Sequence, residues 1–570
     1  MKFFQKLSKL NQKLSKKKVF KILRFVVISG IFGSLLFLFL YGRYPLYFSH
    51  VNWIYKSGGD SLQHQLGWEW FRQEPWSFPL GQIKSYGYPF GTYLSYLDSI
   101  PLVAIPLKLF SPLLQQRFQY FGVWELFSMI MQFAFGMLII GEFTPSYPKK
   151  ILGAILLVLS PPMIHRAFVH SSLSAHWILL CGIWLIIREY KNKSQRFVWP
   201  LLFGIAVLVH LYFVAMLIPL WLLSLYFKYR KPINRKKVFL DVLLVFVVVS
   251  LLGWCTGIFS LDLNNIQSHE YGYFSWNLNG FLNPSGSSTF LEGLNFGVAG
   301  QYEGYSYLGL GNLLIFPIAL ILFLEKDPGK RNLNFFIPLG VISVLYIIFA
   351  ASNKAYLNSE QIWNINLSNR IIEFFSIFRA SGRFIWPVFY LIVLFGLVCI
   401  IRNLNNPSFF LIFAIIIQII DIQPHYAAKQ LNRFIKYNSP LQSEFWEAAK
   451  TNENIIIIPA DDSAINTYEP IALYARLNKM TLNWGYFARS DNNAFKSYVD
   501  ETLDNLEKGI IDKETMYIFH TDSAKVFAKT TFSDNLILCE IDDLLIGFSQ
   551  ENPLLDSYII NNIDCSVPSD

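Results

Sequence analysis

Long apolar runs recur along this chain, and they constrain its fold more than any other feature. A run of about 20 apolar residues is long enough to cross the hydrocarbon core of a bilayer as a helix. Such runs lie at roughly 25–42, 119–141, 150–163, 174–189, 197–211, 213–227, 238–259, 308–324, 333–351, 384–401 and 408–420. With 53% apolar and only 15% charged residues, the composition excludes an ordinary soluble enzyme. The sequence therefore predicts a polytopic α-helical membrane protein with about eleven transmembrane helices.

The basic residues predict how these helices are oriented. Residues 1–24 hold nine Lys or Arg and no acidic residue, which equals the whole net charge of +9. A basic protein can bind nucleic acid, but this excess lies directly before an apolar run, so we interpret it as a basic cytoplasmic arm and expect no nucleic-acid partner. If the N-terminus is cytoplasmic, every short loop rich in Lys or Arg also falls on the cytoplasmic side. The predicted topology is therefore N-in/C-out.

The remaining connections are predicted to lie on the extracytoplasmic side. They form the outer loops 43–118, 260–307 and 352–383 of a transmembrane domain at 25–421. The apolar run at 100–114 contains three prolines and one lysine. If it crossed the membrane, every later basic loop would lie outside, so we expect an interfacial helix there.

The last segment, 422–570, predicts a small C-terminal extracytoplasmic α/β domain. It holds 22 acidic and 12 basic residues. Apolar runs predict strands at 454–459, 515–519 and 536–539, and an amphipathic pattern predicts a helix at 493–508. Cys539 and Cys565 lie in this segment. In an oxidising compartment they would either form a disulfide or remain two free thiols.

Candidate catalytic residues lie in the first outer loop. Asp60 follows Gly58 and Gly59 and opens a stretch whose helical spacing places Asp60 and His64 on one face. A carboxylate held there can act as a general base or a metal ligand. Asp is also favoured as a helix N-cap, so both interpretations of Asp60 stay open. Asp98 precedes the proline-containing helix, where an N-cap is the favoured interpretation and a second site carboxylate the alternative.

Two further clusters place basic side chains on the predicted outer face. His165, Arg166 and His170 lie in the turn between the third and fourth runs. They suit a phosphate or a sugar hydroxyl, or else form a snorkelling interfacial loop. Arg379 and Arg383 lie at the outer entrance of the tenth run. Guanidinium groups bind phosphate oxygens bidentately, so this pair suits a polyprenyl phosphate head, with generic phospholipid contact as the alternative.

Aromatic residues interleaved with Asn, Ser and Gly mark the segment 271–288, which includes Tyr271 and Trp276. This composition is typical of a sugar-binding loop, because aromatic rings stack on C–H faces while amides bond hydroxyls. Membrane-interface belts are also rich in Tyr and Trp, so the composition has two interpretations.

Four short segments carry a resemblance to known proteins. They are Gly59-Asp60-Ser-Leu-Gln-His64, Tyr88-Pro-Phe-Gly91, Asp98-Ser-Ile-Pro101 and Arg379-Ala-Ser-Gly-Arg383. They resemble the signatures of an uncharacterised bacterial GT-C-like polytopic family. The arrangement of the whole chain is similar to the GT-C superfamily of polyprenyl-phosphate-sugar-dependent membrane glycosyltransferases. Those enzymes take a sugar from a polyprenyl-phosphate carrier on the outer leaflet and pass it to an acceptor.

The resemblance implies a multi-pass glycosyltransferase of the bacterial inner membrane whose active face is extracytoplasmic. The implied catalytic residues are Asp60 and Asp98. The implied donor-phosphate-binding residues are Arg379, Arg383, Arg166 and His165, and the implied substrate-binding residues are His64, His170, Tyr271 and Trp276. The expected partners are a polyprenyl-phosphate-linked sugar, membrane lipids, and a lipid, glycan or protein acceptor.

The resemblance leaves the cofactor open. GT-C enzymes often carry a paired acidic motif in the first outer loop, whereas here only Asp60 stands at that position, between Gly59 and Ser61. No cofactor is therefore certain, and a divalent metal stays an open expectation.

Two other classes of function remain as alternatives. One is a transporter or flippase for a glycan-lipid intermediate, which a lipid-phosphate site at Arg383 would also suit. Against it, the apolar runs contain few ionisable groups besides Glu125 and Asp241, and the chain shows no repeated halves. The other alternative is a non-catalytic envelope scaffold whose C-terminal segment binds a partner.

Overall fold

A computed structural model describes residues 16–193, 195–230, 235–260, 271–325, 332–552 and 565–566. Most of the predicted cytoplasmic arm therefore lies outside the described residues. The same holds for 261–270 of the second outer loop and for 553–564 and 567–570 of the last segment.

Helices form the first three quarters of the described chain. They are α1 (Lys16–Tyr41), α2 (Asn52–Ser57), α3 (Gly59–Phe71), α4 (Pro101–Lys108), α5 (Phe121–Gly141), α6 (Tyr147–Val158), α7 (Pro161–Arg166), α8 (Trp177–Tyr190), α9 (Val198–Val209), α10 (Leu211–Tyr229), α11 (Arg235–Cys255), α12 (Leu310–Leu324), α13 (Leu333–Ala351), α14 (Asn369–Ser376), α15 (Trp386–Asn403), α16 (Pro407–Asp421) and α17 (Gln423–Ala427). Two short hairpins lie between them, β1–β2 (Gln82–Ile83 and Thr92–Tyr93) and β3–β4 (Lys354–Leu357 and Glu360–Asn364).

Every predicted apolar run is a helix, but within the described residues seven helices, not eleven, are long and apolar enough to cross a membrane. They are α1, α5, α10, α11 and α13, together with α8 and α15, each lengthened by the preceding turn. The other four, α6, α9, α12 and α16, have 12 to 15 residues. At 1.5 Å per residue they span about 18–23 Å, less than the ~30 Å hydrocarbon core. The count of eleven spans is therefore not confirmed.

Local backbone breaks make two of the predicted runs longer than the helices they contain. The run at 150–163 includes Pro161 and Pro162, which end α6 and begin α7. The run at 197–211 includes His210, whose extended backbone separates α9 from α10. The segment 100–114 contains α4, whose eight residues extend about 12 Å and are too short to cross a bilayer.

The C-terminal segment forms a small domain around a six-stranded sheet. Its helices are α18 (Phe445–Ala448), α19 (Tyr468–Leu477), α20 (Asn492–Glu507) and α21 (Asp522–Thr531), and its strands are β5 (Asn454–Ile458), β6 (Thr481–Leu482), β7 (Thr515–Phe519), β8 (Ile537–Ile541), β9 (Leu544–Phe548) and β10 (Cys565–Ser566). The strand order is β10-β8-β9-β7-β5-β6, with β5 parallel to β6 and β7 and the other neighbours antiparallel. Cys539 and Cys565 form a disulfide between β8 and β10.

The C-terminal domain packs against the segment 43–118, the predicted first outer loop. Strand β6 forms a bridge with that loop between Leu482 and Tyr86. In α3, Glu69 is fully buried and its Oε2 lies 3.0 Å from Nε of Arg476 on α19. Glu69 also accepts a hydrogen bond of 2.7 Å from the Tyr55 hydroxyl. This buried ion pair fixes α3, and with it the start of the first outer loop, to the C-terminal domain.

Breaking this ion pair is expected to destabilise the protein. Arg476→Met leaves the Glu69 carboxylate buried without its cation, so we expect a loss of about 3–5 kcal/mol and a lower Tm in detergent. The double variant Arg476→Met/Glu69→Gln should lose less than the sum of the single variants. Lys450→Met is the control, because the Lys450–Glu447 pair is largely exposed and should contribute below about 1 kcal/mol. Equal losses in Arg476→Met and Lys450→Met would contradict the assigned role of the buried pair.

Candidate functional site

The site begins at the junction of α2 and α3, where Asp60 is the second residue of α3. Gly58 and Gly59 have φ values of +62° and +54°, which favour glycine. Gly58 occupies the cap position of α3, so the interpretation of Asp60 as an N-cap is wrong. The Gly59 amide donates instead to Oε1 of Glu469 on α19 at 2.6 Å. The C-terminal domain thus completes this helix start, and the Asp60 carboxylate is not used for capping.

Asp60 is half-buried. Charges of both signs act on its carboxyl group. Burial raises the pKa of Asp60, and the carboxylate of Glu303 raises it further. The guanidinium groups of Arg383, Arg166 and Arg379 lower it, without cancelling the rise. The pKa of Asp60 is therefore sensitive to the charges of the three arginines for which the sequence predicts phosphate binding.

Glu303 joins two of these arginines. Its Oε2 accepts hydrogen bonds from Nη2 of Arg166 at 2.5 Å and from Nε of Arg383 at 2.7 Å. All three side chains are at most 10% exposed. Burial alone would raise the pKa of Glu303, but the two guanidinium charges outweigh it and hold that pKa well below its usual range. Glu303 is therefore ionised, and it fixes the orientation of both arginines.

Close backbone contacts hold this cluster together. A Cβ at Gly382 would lie 2.8 Å from the Gly304 Cα and 2.9 Å from the carbonyl carbon of Ser275. The Gly382 amide also donates to the carbonyl of Phe274 at 2.9 Å. Because Gly382 has no side chain, it allows three backbone segments to pack closely together. The Arg379 guanidinium lies 5.6 Å from the ring centre of Phe274.

A second cluster forms around Asp98, the other predicted catalytic residue. Nε2 of His170 is 3.4 Å from Oδ2 of Asp98, and Nε2 of His210 is 3.3 Å from Oδ1. The ring of His64 lies 4.8 Å from that of His170, centre to centre. Three potential metal ligands, one atom each from His64, Asp98 and His170, lie within 4.8 Å of one another. Within the part of the chain that the structure describes, this is the one group of three or more potential metal ligands.

Asp98 does not cap α4, so that interpretation is wrong. The cap residue of α4 is Ile100, and both Asp98 and Ile100 have positive φ, 52° and 51°. This turn directs the Asp98 carboxylate to the histidines instead of the helix. Burial raises the pKa of Asp98 to about 7. Burial also lowers the pKa of His64 to about 3 and that of His170 well below its usual value, so both imidazoles are neutral.

The other candidate residues have mainly structural contacts. The His165 ring stacks near those of Tyr305, at 4.7 Å, and His425, at 5.6 Å. Tyr271 is buried against Phe349 and Phe375. Trp276 is also buried, and its Nε1 donates to Oγ of Ser306 at 2.9 Å. Tyr271 and Trp276 therefore pack in the protein interior, while the backbone at 274–276 supports the Arg383 turn.

Two residues of the site were absent from the sequence predictions. One is Glu303, and nothing near it in the sequence identifies its two arginine partners. His210 interrupts an otherwise apolar stretch between α9 and α10. A polar residue at such a position is costly unless it has a partner, and this is the sequence signal that points to His210.

An apolar groove lies beside the segment that carries Asp98. It has a volume of about 630 Å³. Its lining residues are Phe48, Leu102, Val103, Leu107, Leu114, Phe118, Tyr120, Val123, Trp124 and Phe127. The Tyr120 hydroxyl donates to the Ser99 carbonyl, and Oγ of Ser99 donates to the His64 carbonyl at 2.8 Å. The groove wall is therefore hydrogen-bonded to the segment that carries Asp98, and through Ser99 to the His64 backbone.

Comparison with known proteins identifies the family of this chain but does not identify a reaction. Residues 30–423, more than half of the chain, match a family described as a domain of unknown function, DUF6311. Residues 445–549 match the C-terminal domain of the same family. No curated protein matches the chain. The chain therefore belongs to the DUF6311 family.

Proposed function

We propose that the protein is a GT-C-type glycosyltransferase of the bacterial inner membrane, with eleven spans and an N-in/C-out topology. It would move a sugar from a polyprenyl-phosphate donor to an acceptor on the extracytoplasmic face. The observation that carries the proposal is the convergence of Arg166 and Arg383 on Glu303 from distant parts of the chain, at a place where the charges of all three act on Asp60. A carboxylate base beside buried guanidinium groups suits transfer from a phosphate leaving group.

The arginines supply the electrostatic part of the reaction. Arg166 and Arg383 hold their guanidinium groups on Glu303 in the protein interior, and the charges of both, with that of Arg379, act on Asp60. Because guanidinium groups bind phosphate oxygens through directed hydrogen bonds, they stabilise the charge that develops on the leaving polyprenyl phosphate.

Asp60 supplies the base. The acceptor oxygen attacks the anomeric carbon while its proton passes to the Asp60 carboxylate, and the bond between that carbon and the phosphate oxygen breaks. The electron pair of the broken bond leaves with the phosphate. A single displacement of this kind inverts the configuration at the anomeric carbon. The raised pKa of Asp60 makes its carboxylate a stronger base than an exposed one.

The apolar groove supports a lipid-linked donor. Its walls are built from α4, α5 and the segments beside them, and they are almost entirely apolar. A polyprenyl chain buries apolar surface at about 25 cal/mol per Å², so such a groove would hold the carrier with its phosphate directed to the site.

The charges at the far end of α5 support an extracytoplasmic site. Helix α5 has 21 residues, about 31 Å, and its Phe121 end adjoins the site. Just after its other end, Glu142 pairs with Arg188, Lys191 and Lys193. Clusters of Lys and Arg beside membrane spans favour the cytoplasm, so the site would lie on the opposite face.

Donor-phosphate binding is tested with Arg383→Gln. Native mass spectrometry of the full chain would measure binding of undecaprenyl phosphate and of undecaprenol, which lacks the phosphate. We expect Arg383→Gln to weaken binding of the phosphate by at least about tenfold, because a hydrogen bond to a charged group is lost, and to leave undecaprenol binding unchanged.

Arg402→Gln is the matched control, since Arg402 lies exposed in the last turn of α15, the helix that the Arg383 turn precedes. Equal phosphate binding by Arg383→Gln and Arg402→Gln would contradict the assignment of Arg383 to the carrier phosphate.

A further inference from the structure

We propose that His64, Asp98 and His170 bind one divalent transition-metal ion of the zinc class, and that His210 positions Asp98 for it. All four residues are almost fully buried, and the described chain contains no other group of three or more ligating residues at such close range. The proposal does not depend on the reaction proposed above, because it concerns only binding of the ion.

The distances suit a zinc ion. Zinc binds imidazole nitrogen and carboxylate oxygen at about 2.0–2.1 Å, so two ligand atoms of a tetrahedral site lie about 3.3–3.4 Å apart. Nε2 of His170 and Oδ2 of Asp98 are 3.4 Å apart. The remaining pairs are within 4.8 Å, a separation that small rotations of the His64 ring can reduce.

Hydrogen bonds around the cluster leave the ligand atoms available. Nδ1 of His210 accepts from the Tyr212 amide at 3.1 Å, so the proton of the neutral ring is on Nε2, which faces Oδ1 of Asp98. His210 therefore orients the carboxylate and leaves Oδ2 for the ion. Nδ1 of His170 lies 3.2 Å from Oγ of Ser172. When Nδ1 donates there, Nε2 keeps its lone pair, which is the usual arrangement of a metal-binding histidine.

An unpartnered ring nitrogen of His64 independently supports the ion site. Among the described residues Nε2 of His64 has no hydrogen-bond partner, although the side chain is 1% exposed. A buried polar atom without a partner is costly, and a bound ion would satisfy it. Nε2 of His176 and of His425 is also unpartnered, but no group of three ligating residues forms around either within the described chain.

The ligand set defines the class of ion. Two imidazoles and one carboxylate favour Zn²⁺ and similar first-row ions, whereas Mg²⁺ and Ca²⁺ prefer oxygen ligands. Three protein ligands leave a fourth zinc position open. The Arg383 guanidinium lies 4.6 Å from the ring centre of Tyr212, which follows His210 closely in the chain. Water or an anionic oxygen would complete the site at the open position.

Metal content of the full chain tests the proposal. The protein would be purified in detergent, stripped with a chelator, incubated with Zn²⁺, Mn²⁺ or Mg²⁺, and measured by plasma mass spectrometry. We expect about one Zn²⁺ per chain and no retained Mg²⁺. His170→Ala and Asp98→Asn should each lose the ion. His210→Ala should keep the ligands but bind zinc about 10–100-fold more weakly.

Two controls separate metal binding from folding. His520→Ala removes a histidine of the C-terminal domain and should keep one zinc per chain. Zinc should raise the Tm of the wild-type protein and leave that of Asp98→Asn unchanged, a readout that requires only that the stripped proteins fold. No zinc on the wild-type chain, undiminished zinc in His170→Ala and Asp98→Asn, or retained Mg²⁺ in place of Zn²⁺ would overturn the proposal.

Discussion

Asp60→Asn is expected to lower sugar transfer about a thousandfold, because a positioned general base contributes about 10²–10⁴ in rate. Asn has nearly the same shape as Asp but cannot take the acceptor proton. The variant should still fold, since the folded environment disfavours the charged form of Asp60 and an uncharged side chain meets no such penalty. The measurement is transfer of a radiolabelled sugar from its polyprenyl-phosphate carrier in membranes that contain each variant.

Glu292→Gln is the control for this prediction. Glu292 is an exposed acidic residue of the segment 271–307, so its loss should not change the rate. Equal transfer by wild type and Asp60→Asn would exclude Asp60 as the base. Movement of the labelled lipid across proteoliposome membranes, with no covalent product, would favour a flippase over a transferase.

Glu303→Gln is expected to destabilise the protein by about 3–5 kcal/mol, because it leaves two buried guanidinium groups without their anion. Both hydrogen bonds of 2.5 and 2.7 Å to Oε2 lose their charged acceptor. The Tm in detergent measures the loss. Glu447→Gln is the control, since Glu447 belongs to an exposed ion pair with Lys450 and should change stability by less than about 1 kcal/mol.

A bound phosphate should rescue Glu303→Gln in part. If the arginines hold the carrier phosphate, undecaprenyl phosphate supplies the missing negative charge, so it should raise the Tm of Glu303→Gln more than that of the wild type. Undecaprenol should not produce this difference. A wild-type Tm for Glu303→Gln, or equal stabilisation of both proteins by the phosphate, would contradict the role assigned to the cluster.

Much of the fold follows from local sequence patterns. Long apolar runs predict α1, α5 and α11, and the isoleucines of β5 predict a buried strand. Run length overestimates the spans where a proline pair or a single histidine breaks a helix, as after α6 and α9. The sheet order of the C-terminal domain depends on contacts between distant segments, and local patterns do not contain that information.

The site was predictable where its residues differ sharply from their surroundings. Asp60, Arg166 and Arg383 stand out as charges beside apolar helices. Glu303 could not be recognised, since its significance lies in two partners far away in the chain. Asp60 and Asp98 were each considered as helix caps because capping preferences are local, whereas tertiary contacts with Glu469, His170 and His210 decide both positions.

Glycan mass spectrometry of a strain that lacks this chain tests the central claim most directly. The account predicts an envelope glycan, glycolipid or glycoprotein that loses the mass of one sugar unit in the deletion strain. Wild-type protein should restore that mass, and Asp60→Asn should not. Identical glycan profiles in the parent and deletion strains, or full restoration by Asp60→Asn, would contradict the account.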